Sequence, residues 1–283
     1  RLGQPQPFDL LISTLPFADE VCRQAQLPRH WMRIANTLSR EIDGLRQSDP
    51  AKAARRVQRY RNLYSGQNLI AVSSGVEKDL VGAMGIGPRN VRVVHNPFDL
   101  QRIRRLAQEP LAGLPSEDYV IHVGRFARQK RHDLLLDAWK RLEAPKLLVL
   151  LTEPHEELRR MIAERDLEAR VRIAGFQTNP YPWIARARLL ALCSDHEGMP
   201  NVLVEALACG TPVVATDCPS GPRELLGEAL PEALVPMNDP AALRLAMQRM
   251  LARAPESALV EVQPFSPEVT VAALEHLSQE ERG

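Results

Sequence analysis

The sequence has little of what marks disulfide-rich, membrane-spanning or nucleic-acid-binding proteins. It carries four cysteines in 283 residues and no Cys-x-x-Cys pair, which argues against a zinc module and predicts free thiols in a reducing compartment. No apolar run approaches ~20 residues, so no transmembrane helix is predicted. The formal net charge is only +1, which gives no general reason to expect nucleic acid as a partner.

The first residues lack two further features. The opening segment RLGQPQP contains no apolar stretch of the kind that a signal peptide needs. The chain also lacks the glycine-rich strand–helix turn with which a Rossmann-like domain normally opens. It begins as though part-way through such a domain, and we therefore expect the N-terminal domain to be incomplete.

What the chain does contain is a regular alternation of short apolar strands and helices. Strands are predicted at 119–123, 146–151, 171–174, 189–193, 211–216 and 233–236, with helices near 131–142, 155–166, 180–187, 200–209, 221–226 and 240–251. Before this region, strands are predicted at 8–15, 31–36, 68–73 and 91–94, with helices at 18–26, 51–64 and 76–84. Such alternation predicts an α/β fold with parallel sheets, which bind ligands at the carboxyl ends of the strands.

The stretch 193–217 stands out within this pattern. It contains a loop, a helix, Gly210 at the position just past a helix end, and a β-branched strand. Glu197 lies in the loop, and Glu205 lies inside the otherwise apolar helical run. A carboxylate in that run needs a polar partner, because an unpaired buried charge is costly. The spacing alone is common, and a purely structural interpretation has one capping and one solvated glutamate.

The whole stretch resembles the signature of the retaining glycosyltransferases of family 4. The matching residues are two glutamates separated by seven positions, then Ala, Gly-Thr-Pro and Val-Val-Ala-Thr. The resemblance implies a GT-B fold with two Rossmann-like domains. It also implies that Glu205 binds the ribose of a nucleotide-sugar and that Glu197 lies against the donor sugar and affects turnover. The adjoining donor contacts implied by the resemblance are Gly198, Met199, Asn201 and Val202.

A second motif, GRFARQK, follows the strand 119–123. Gly124 is expected to give the backbone a tight exit from the strand. The resemblance implies that Arg125 and Lys130 clamp the donor diphosphate and stabilise the charge of the leaving nucleoside diphosphate, without a metal or other cofactor. The alternative is a basic loop without a role. The neighbouring Arg128 and Arg131 are interpreted as solvated.

Two other loops carry weaker signals. In family 4, backbone groups that follow a glycine such as Gly175 pair with the nucleobase, so Phe176 is a candidate contact through its backbone, while its ring has the alternative of a place in the core. Gly221 opens a helix and either presents N–H groups to phosphate or forms a plain turn. Family members often carry a histidine near the position of Asn36, and we assign no catalytic role to this asparagine.

The predicted boundary between the domains lies at Asn96-Pro97, by stiffness and by resemblance. Residues 1–95 are predicted to form a partial, acceptor-side domain. Residues 96–283 are predicted to form the domain that binds the nucleotide-sugar, with the last helix returning to the first domain. Residues 51–64 form a basic amphipathic helix, which is either an ordinary surface helix or a peripheral contact with the anionic cytoplasmic face of the inner membrane.

The resemblance therefore implies a cytoplasmic, retaining glycosyltransferase. It would transfer a hexose or N-acetylhexosamine from a nucleotide-sugar, with UDP as the expected nucleotide, to a glycan or lipid-linked acceptor in surface-polysaccharide synthesis. Two alternatives stay open. One is an epimerase that converts the nucleotide-sugar without an acceptor, and the other is a nucleotide-binding module without activity.

Overall fold

The computed structural model describes residues 8–252 and 261–280. The chain divides into two compact units. Unit 1 is the chain up to Pro97 together with the C-terminal helix from Pro267, and unit 2 is Phe98–Ser266. All four cysteines are free thiols, as their spacing predicts. None of the helices in the described ranges combines the length and the apolar character that crossing a membrane requires.

Unit 1 is built on a parallel sheet of four strands in the order β1–β2–β3–β4. The strands are β1 Leu11–Thr14, β2 His30–Ile34, β3 Asn68–Ala71 and β4 Asn90–Val93, and the helices are α1 Pro16–Gln24, α2 Leu38–Ser48, α3 Pro50–Tyr64, α4 Ser74–Lys78 and the C-terminal helix Pro267–Glu280. Trp31, Ile70 and Val94 form a buried cluster with Leu277. The C-terminal helix therefore belongs to the core of this unit.

Local sequence explains where α3 begins. Asp49 accepts a hydrogen bond from the Lys52 N–H at 2.9 Å, and Pro50 takes a first-turn position that needs no N–H. The predicted helix 76–84 is confirmed, but its second half is π-helical: α4 ends at Lys78, and a wider π-helical turn follows over Asp79–Ala83. In that turn the Asp79 carboxylate accepts from Ser39, a distant partner that helical spacing cannot reveal.

Unit 2 has a six-stranded parallel sheet in the order β10–β9–β8–β5–β6–β7. The strands are β5 Tyr119–Val123, β6 Leu147–Leu151, β7 Val171–Ile173, β8 Leu189–Leu192, β9 Val213–Thr216 and β10 Leu234–Val235. The helices are α5 Leu100–Ala107, α6 His132–Lys140, α7 Glu156–Ala163, α8 Tyr181–Arg186, α9 Asn201–Ala208, α10 Pro222–Leu226 and α11 Pro240–Ala252. The predicted strands and helices of this region are confirmed, with ends that differ by one or two residues in most of them.

The order of the strands reverses between β5 and β8. These two strands pair in the centre of the sheet through Val120↔Leu189 and Ile121↔Leu190. One half of the sheet then runs β5–β6–β7 and the other half β8–β9–β10. In doubly wound sheets, ligands bind outside the carboxyl ends of the strands at such a reversal. The topology therefore brings the segment after β5 and the segment after β8, which carry the two predicted motifs, to one edge of the sheet.

Candidate functional site

Two loops meet at this edge, and an ion pair joins them. We call residues 124–131, which follow β5, the β5 loop, and residues 193–200, which follow β8, the β8 loop. Lys130 Nζ lies 2.6 Å from Glu197 Oε1. The two side chains are only 17% and 10% exposed, and charges at this depth are screened less by salt than surface charges are. The site thus contains a preformed pair of one cation and one carboxylate.

Gly124 lies directly beneath the stem of Lys130. A Cβ at position 124 would lie 3.5 Å from Lys130 Cε and 3.5 Å from His122 Nε2, which are ordinary van der Waals distances. Gly124 is not among the glycines of the described ranges that have a positive φ, so neither its backbone conformation nor the space around it requires a glycine. The expectation that a tight exit from the strand needs glycine here is therefore wrong. The Gly124 carbonyl accepts a hydrogen bond from Thr152 Oγ1 at 2.7 Å, which ties the start of the β5 loop to the end of β6.

Gly221, in contrast, is required by its surroundings. Its φ is +92°, and a Cβ there would lie 2.3 Å from Pro200 Cδ and 3.3 Å from the Gly198 carbonyl oxygen. The segment after β9 is therefore packed directly against the β8 loop. The same segment supplies the Pro219 carbonyl, which accepts from the Glu197 N–H at 3.3 Å. Of the two interpretations of Gly221, the structure supports the tight turn.

Glu205 has the polar partner that its place in an apolar helix requires. It lies on α9, half-buried, and it is hydrogen-bonded to Tyr181 at the start of α8. Burial raises the pKa of Glu205, and the hydrogen bond from Tyr181 acts in the opposite direction. Burial, followed by the charge of Glu205, raises the pKa of Tyr181. Tyr181 was not among the predicted site residues. Its only local signal is its position at the start of α8, the helix that follows Gly175.

The remaining predicted residues differ in exposure. Arg125 is exposed and has no ion pair among the residues that the structure describes. The ring of Phe176 is 73% exposed, so the alternative that it belongs to the core is wrong, and only its backbone stays a candidate. On the β8 loop and α9, Gly198 and Met199 are buried, Val202 is half-buried and Asn201 is exposed.

The interpretation of Arg131 as a solvated neighbour is wrong. Its guanidinium is 18% exposed, contacts the Asp133 carboxylate through Nε at 2.9 Å, and lies 2.8 Å from Asp195 Oδ1. It also donates to the Asn238 side chain. The hydrogen bonds that Arg131 donates to Asp133 and Asp195 raise its pKa above the usual range. Asp133 lies only two positions along the chain, but Asp195 comes from a distant part of it, and the run of basic residues gives no hint of that partner.

Beneath the β5 loop lie two buried histidines. His122 and His132 meet edge to face with ring centroids 4.8 Å apart. His122 Nδ1 donates to the Ala191 carbonyl at 2.9 Å. Thr152 Oγ1 gives its proton to Gly124, so its contact with His132 Nε2 at 3.3 Å requires that the imidazole donate. Burial, with the nearby positive charge of Lys130 as a smaller cause, lowers the pKa of His122 to about 3 and that of His132 to about 4. Both rings are therefore neutral at neutral pH.

Most of unit 2 matches a known protein family. Residues 117–253 match the family described as Glycosyl transferases group 1. This part of the chain belongs to that family. The matched range includes both loops, the pair Lys130–Glu197 and Glu205.

Several curated proteins that resemble this chain are named as glycosyltransferases of bacterial surface or lipid-linked glycans. One, from Campylobacter jejuni, is N-acetylgalactosamine-N,N'-diacetylbacillosaminyl-diphospho-undecaprenol 4-alpha-N-acetylgalactosaminyltransferase, 36% identical over 192 residues, or 67% of this chain and 52% of the relative. Another is the lipopolysaccharide 1,6-galactosyltransferase of Salmonella typhimurium, 28% identical over 169 residues, or 57% of this chain and 46% of the relative. The chain spans about half the length of the curated relatives it matches.

Solved structures identify the fold of the group 1 chain as GT-B, as predicted. Sucrose-phosphate synthase from Thermosynechococcus elongatus has a TM-score of 0.76 at 22% identity, over 96% of this chain and 73% of its own. Anabaena HepE in complex with UDP and glucose has a TM-score of 0.70 at 21% identity, over 96% of this chain and 76% of its own. At these identities the likeness establishes the fold alone.

The neutral histidine pair predicts how stability depends on pH. Because the folded-state pKa values of His122 and His132 are depressed, the unfolded chain binds more protons below about pH 6.5, and stability falls as the pH falls towards the folded values. Each histidine should contribute a loss of about 1.4 kcal/mol per pH unit in that window. Urea denaturation from about pH 6.5 to about pH 5 should show a smaller slope in His122→Asn/His132→Gln than in the wild type. Parallel profiles would contradict the buried neutral pair.

Proposed function

We propose that this chain contributes a retaining glycosyltransferase activity to cell-surface polysaccharide synthesis. The donor is a hexose or N-acetylhexosamine linked to a nucleotide, with UDP as the expected nucleotide, and the acceptor is a glycan or a lipid-linked glycan. The observation that carries the proposal is the pair Lys130–Glu197 at the strand reversal, inside the segment that belongs to group 1. The names of two relatives support it, since these enzymes are named for the transfer of N-acetylgalactosamine and of galactose.

Lys130 and Arg125 are proposed to hold the donor diphosphate. The bond to the sugar breaks with a gain of negative charge on the leaving nucleoside diphosphate, and cations fixed beside it stabilise that charge. An ammonium has three N–H donors, and Glu197 takes one of them in this structure. The exposed guanidinium of Arg125 has the planar fork that suits phosphate oxygens. With these two charges, the reaction is proposed to need no divalent metal.

Glu205 is proposed to bind the ribose hydroxyls of the donor. A carboxylate can accept two hydrogen bonds from neighbouring hydroxyls, and Tyr181 already holds it in a half-buried position. The backbone of Phe176 is proposed to contact the base. Residues 198–202, which connect Glu197 to α9, are proposed to supply the remaining donor contacts through Gly198, Met199, Asn201 and Val202.

Glu197 is proposed to bind the sugar rather than to act as a strong base. Its carboxylate is already paired with the ammonium of Lys130, and carboxylate oxygens accept hydrogen bonds from hydroxyl groups such as those of a sugar. A retaining reaction on the front face of the donor, in which the leaving phosphate takes the proton of the acceptor, requires no protein base. The proposed site meets that requirement with cations and hydrogen-bond acceptors only.

Replacing Lys130 by alanine should lower kcat by at least about a hundredfold, because a fixed charge at the leaving group acts mainly in the transition state. The measurement is the release of UDP from a panel of UDP-hexoses and UDP-N-acetylhexosamines with a lipid-linked acceptor. Lys146→Ala is the matched control, since Lys146 is an exposed lysine of the same unit. Kinetics near those of the wild type in Lys130→Ala would refute the diphosphate clamp.

Replacing Glu205 by alanine should mainly raise the donor KM, because ribose contacts act in the ground state and the transition state alike. Initial rates at varied donor concentration separate this effect from a loss of kcat. Tyr181→Phe should raise the donor KM by a smaller factor, since it removes only the group that orients the carboxylate. A fall in kcat with an unchanged donor KM in Glu205→Ala would contradict the proposed ribose contact.

An assay with the donor alone separates the remaining alternatives. An epimerase would convert the nucleotide-sugar without any acceptor, and a binding module would take up UDP in calorimetry without turnover. The proposed transferase should consume the donor quickly only when an acceptor is present.

Unit 1 is further proposed to bind the anionic surface of the inner membrane, on the cytoplasmic side. The exposed face of α3 carries Lys52, Arg55, Arg56 and Arg59. Beside it, α1 exposes Phe17 at 79% and Val21 at 49%. Basic residues next to exposed apolar side chains are the pattern by which a surface helix docks on anionic lipid.

Charge reversal tests this membrane contact. Arg55→Glu/Arg59→Glu should reduce co-sedimentation with vesicles that contain anionic lipid by at least about tenfold, because each basic residue near the surface contributes about 1 kcal/mol. Arg159→Glu/Arg160→Glu, which reverses two exposed arginines of α7 in unit 2, is the matched control. Binding of the wild type that does not depend on anionic lipid would remove the proposal.

A further inference from the structure

Three successive residues of the β5 loop contact three successive residues of the β8 loop. Gln129 Nε2 donates to the His196 carbonyl at 2.6 Å, and the Gln129 carbonyl accepts from the Asp195 N–H at 2.8 Å. Lys130 pairs with Glu197. Arg131 pairs with Asp195 Oδ1 at 2.8 Å. We call these contacts the loop clasp.

The loop clasp lies where the sheet no longer connects the two segments. The ladder between β5 and β8 pairs only Val120 and Ile121 with Leu189 and Leu190. Beyond the ends of these strands, side chains and loop backbone must hold the segments together. A lysine side chain is flexible and loses rotamer freedom when it is fixed. Gln129 and Arg131, on either side of Lys130, are held by their own contacts. The lysine therefore has less conformational freedom to lose when it pairs with Glu197.

Arg131 connects the loop clasp to other segments of unit 2. Its guanidinium also contacts Asp133 on α6 and donates to Asn238 in the turn before α11, so it joins three segments of unit 2. Its backbone adopts φ 48°, a left-handed conformation that is uncommon for a residue with a long side chain. A glycine would adopt this backbone more easily. The local backbone preference therefore does not account for the arginine, whereas its ion pairs do.

We propose that Arg131 and Gln129 are positioning residues that set the geometry of Lys130 and Glu197 without touching the donor. The inference rests on the proposed function for its effect on turnover, whereas the loop clasp itself can be tested without any substrate. In a site that stabilises a leaving group by fixed charges, a displacement of the ammonium by about 1 Å lowers the rate strongly. Arg131 would thus act on kcat through Lys130.

The test compares Arg131→Ala and Arg131→Gly with Arg165→Ala. Arg165 is the matched control, because it lies in the same unit, is 19% exposed, and pairs with Asp137 at 2.7 Å. Arg131→Gly also relieves the left-handed backbone, so it keeps the test valid if Arg131→Ala folds poorly. Both Arg131 variants should lose at least about tenfold in kcat with a smaller change in donor KM, and Arg165→Ala should keep the kcat of the wild type.

Hydrogen exchange of the Asp195 amide provides the readout without substrate. This N–H donates to Gln129, so loss of Arg131 should speed its exchange by at least about tenfold, and loss of Arg165 should not. Unchanged exchange in both Arg131 variants would overturn the loop clasp, whether or not the protein transfers sugar. Faster exchange with the kcat of the wild type would overturn the positioning role. A wild type that turns over no donor, with faster exchange in the variants, would instead overturn the proposed function and leave the loop clasp supported.

Discussion

The contact between Lys130 and Glu197 depends on the reversal of strand order between β5 and β8. Parallel strands that are neighbours in the sheet end at the same edge, so two loops that are far apart in the chain start a few ångströms from each other. Further contacts hold the β5 loop and the β8 loop in this arrangement. The segment around Gly221 packs under one loop, Thr152 holds the start of the other, and Gln129 and Arg131 join the two.

The electrostatics of unit 2 follow from which groups are buried beneath these loops. His122 and His132 are kept neutral by burial, so they add hydrogen bonds but no charge to the floor of the site. The charged groups lie above them, where Lys130 and Glu197 are paired and Arg125 is exposed. Arg131 is compensated by acids of its own. The exposed positive charge of Arg125 therefore lies where an anionic ligand can reach it, in agreement with the proposed donor diphosphate.

The accuracy of the predictions differs between parts of the chain. The strands of unit 2 were predicted well, because continuous runs such as 147–151 and 189–192 are apolar over their whole length, as buried parallel strands are. The helix predicted at 76–84 is confirmed, but its π-helical form from Asp79 onward was not predicted, and the partner of Asp79, Ser39, is forty positions away. The interpretation of Arg131 as a solvated residue was wrong because two of its partners, Asp195 and Asn238, are distant in the sequence. Tyr181 was missed because nothing beside it indicates a contact with Glu205.

The sequence alone determined the class of the fold and the two segments that are proposed to carry the chemistry. Hydrophobic periodicity and glycine positions are local properties, and they are sufficient to predict strands, helices and the loops between them. The tertiary structure decided which charges are paired and which are available, as the contrast between Arg125 and Arg131 makes clear. Pairing depends on distances between residues that are remote in the chain, because electrostatic energy falls with separation in space and not with separation in sequence.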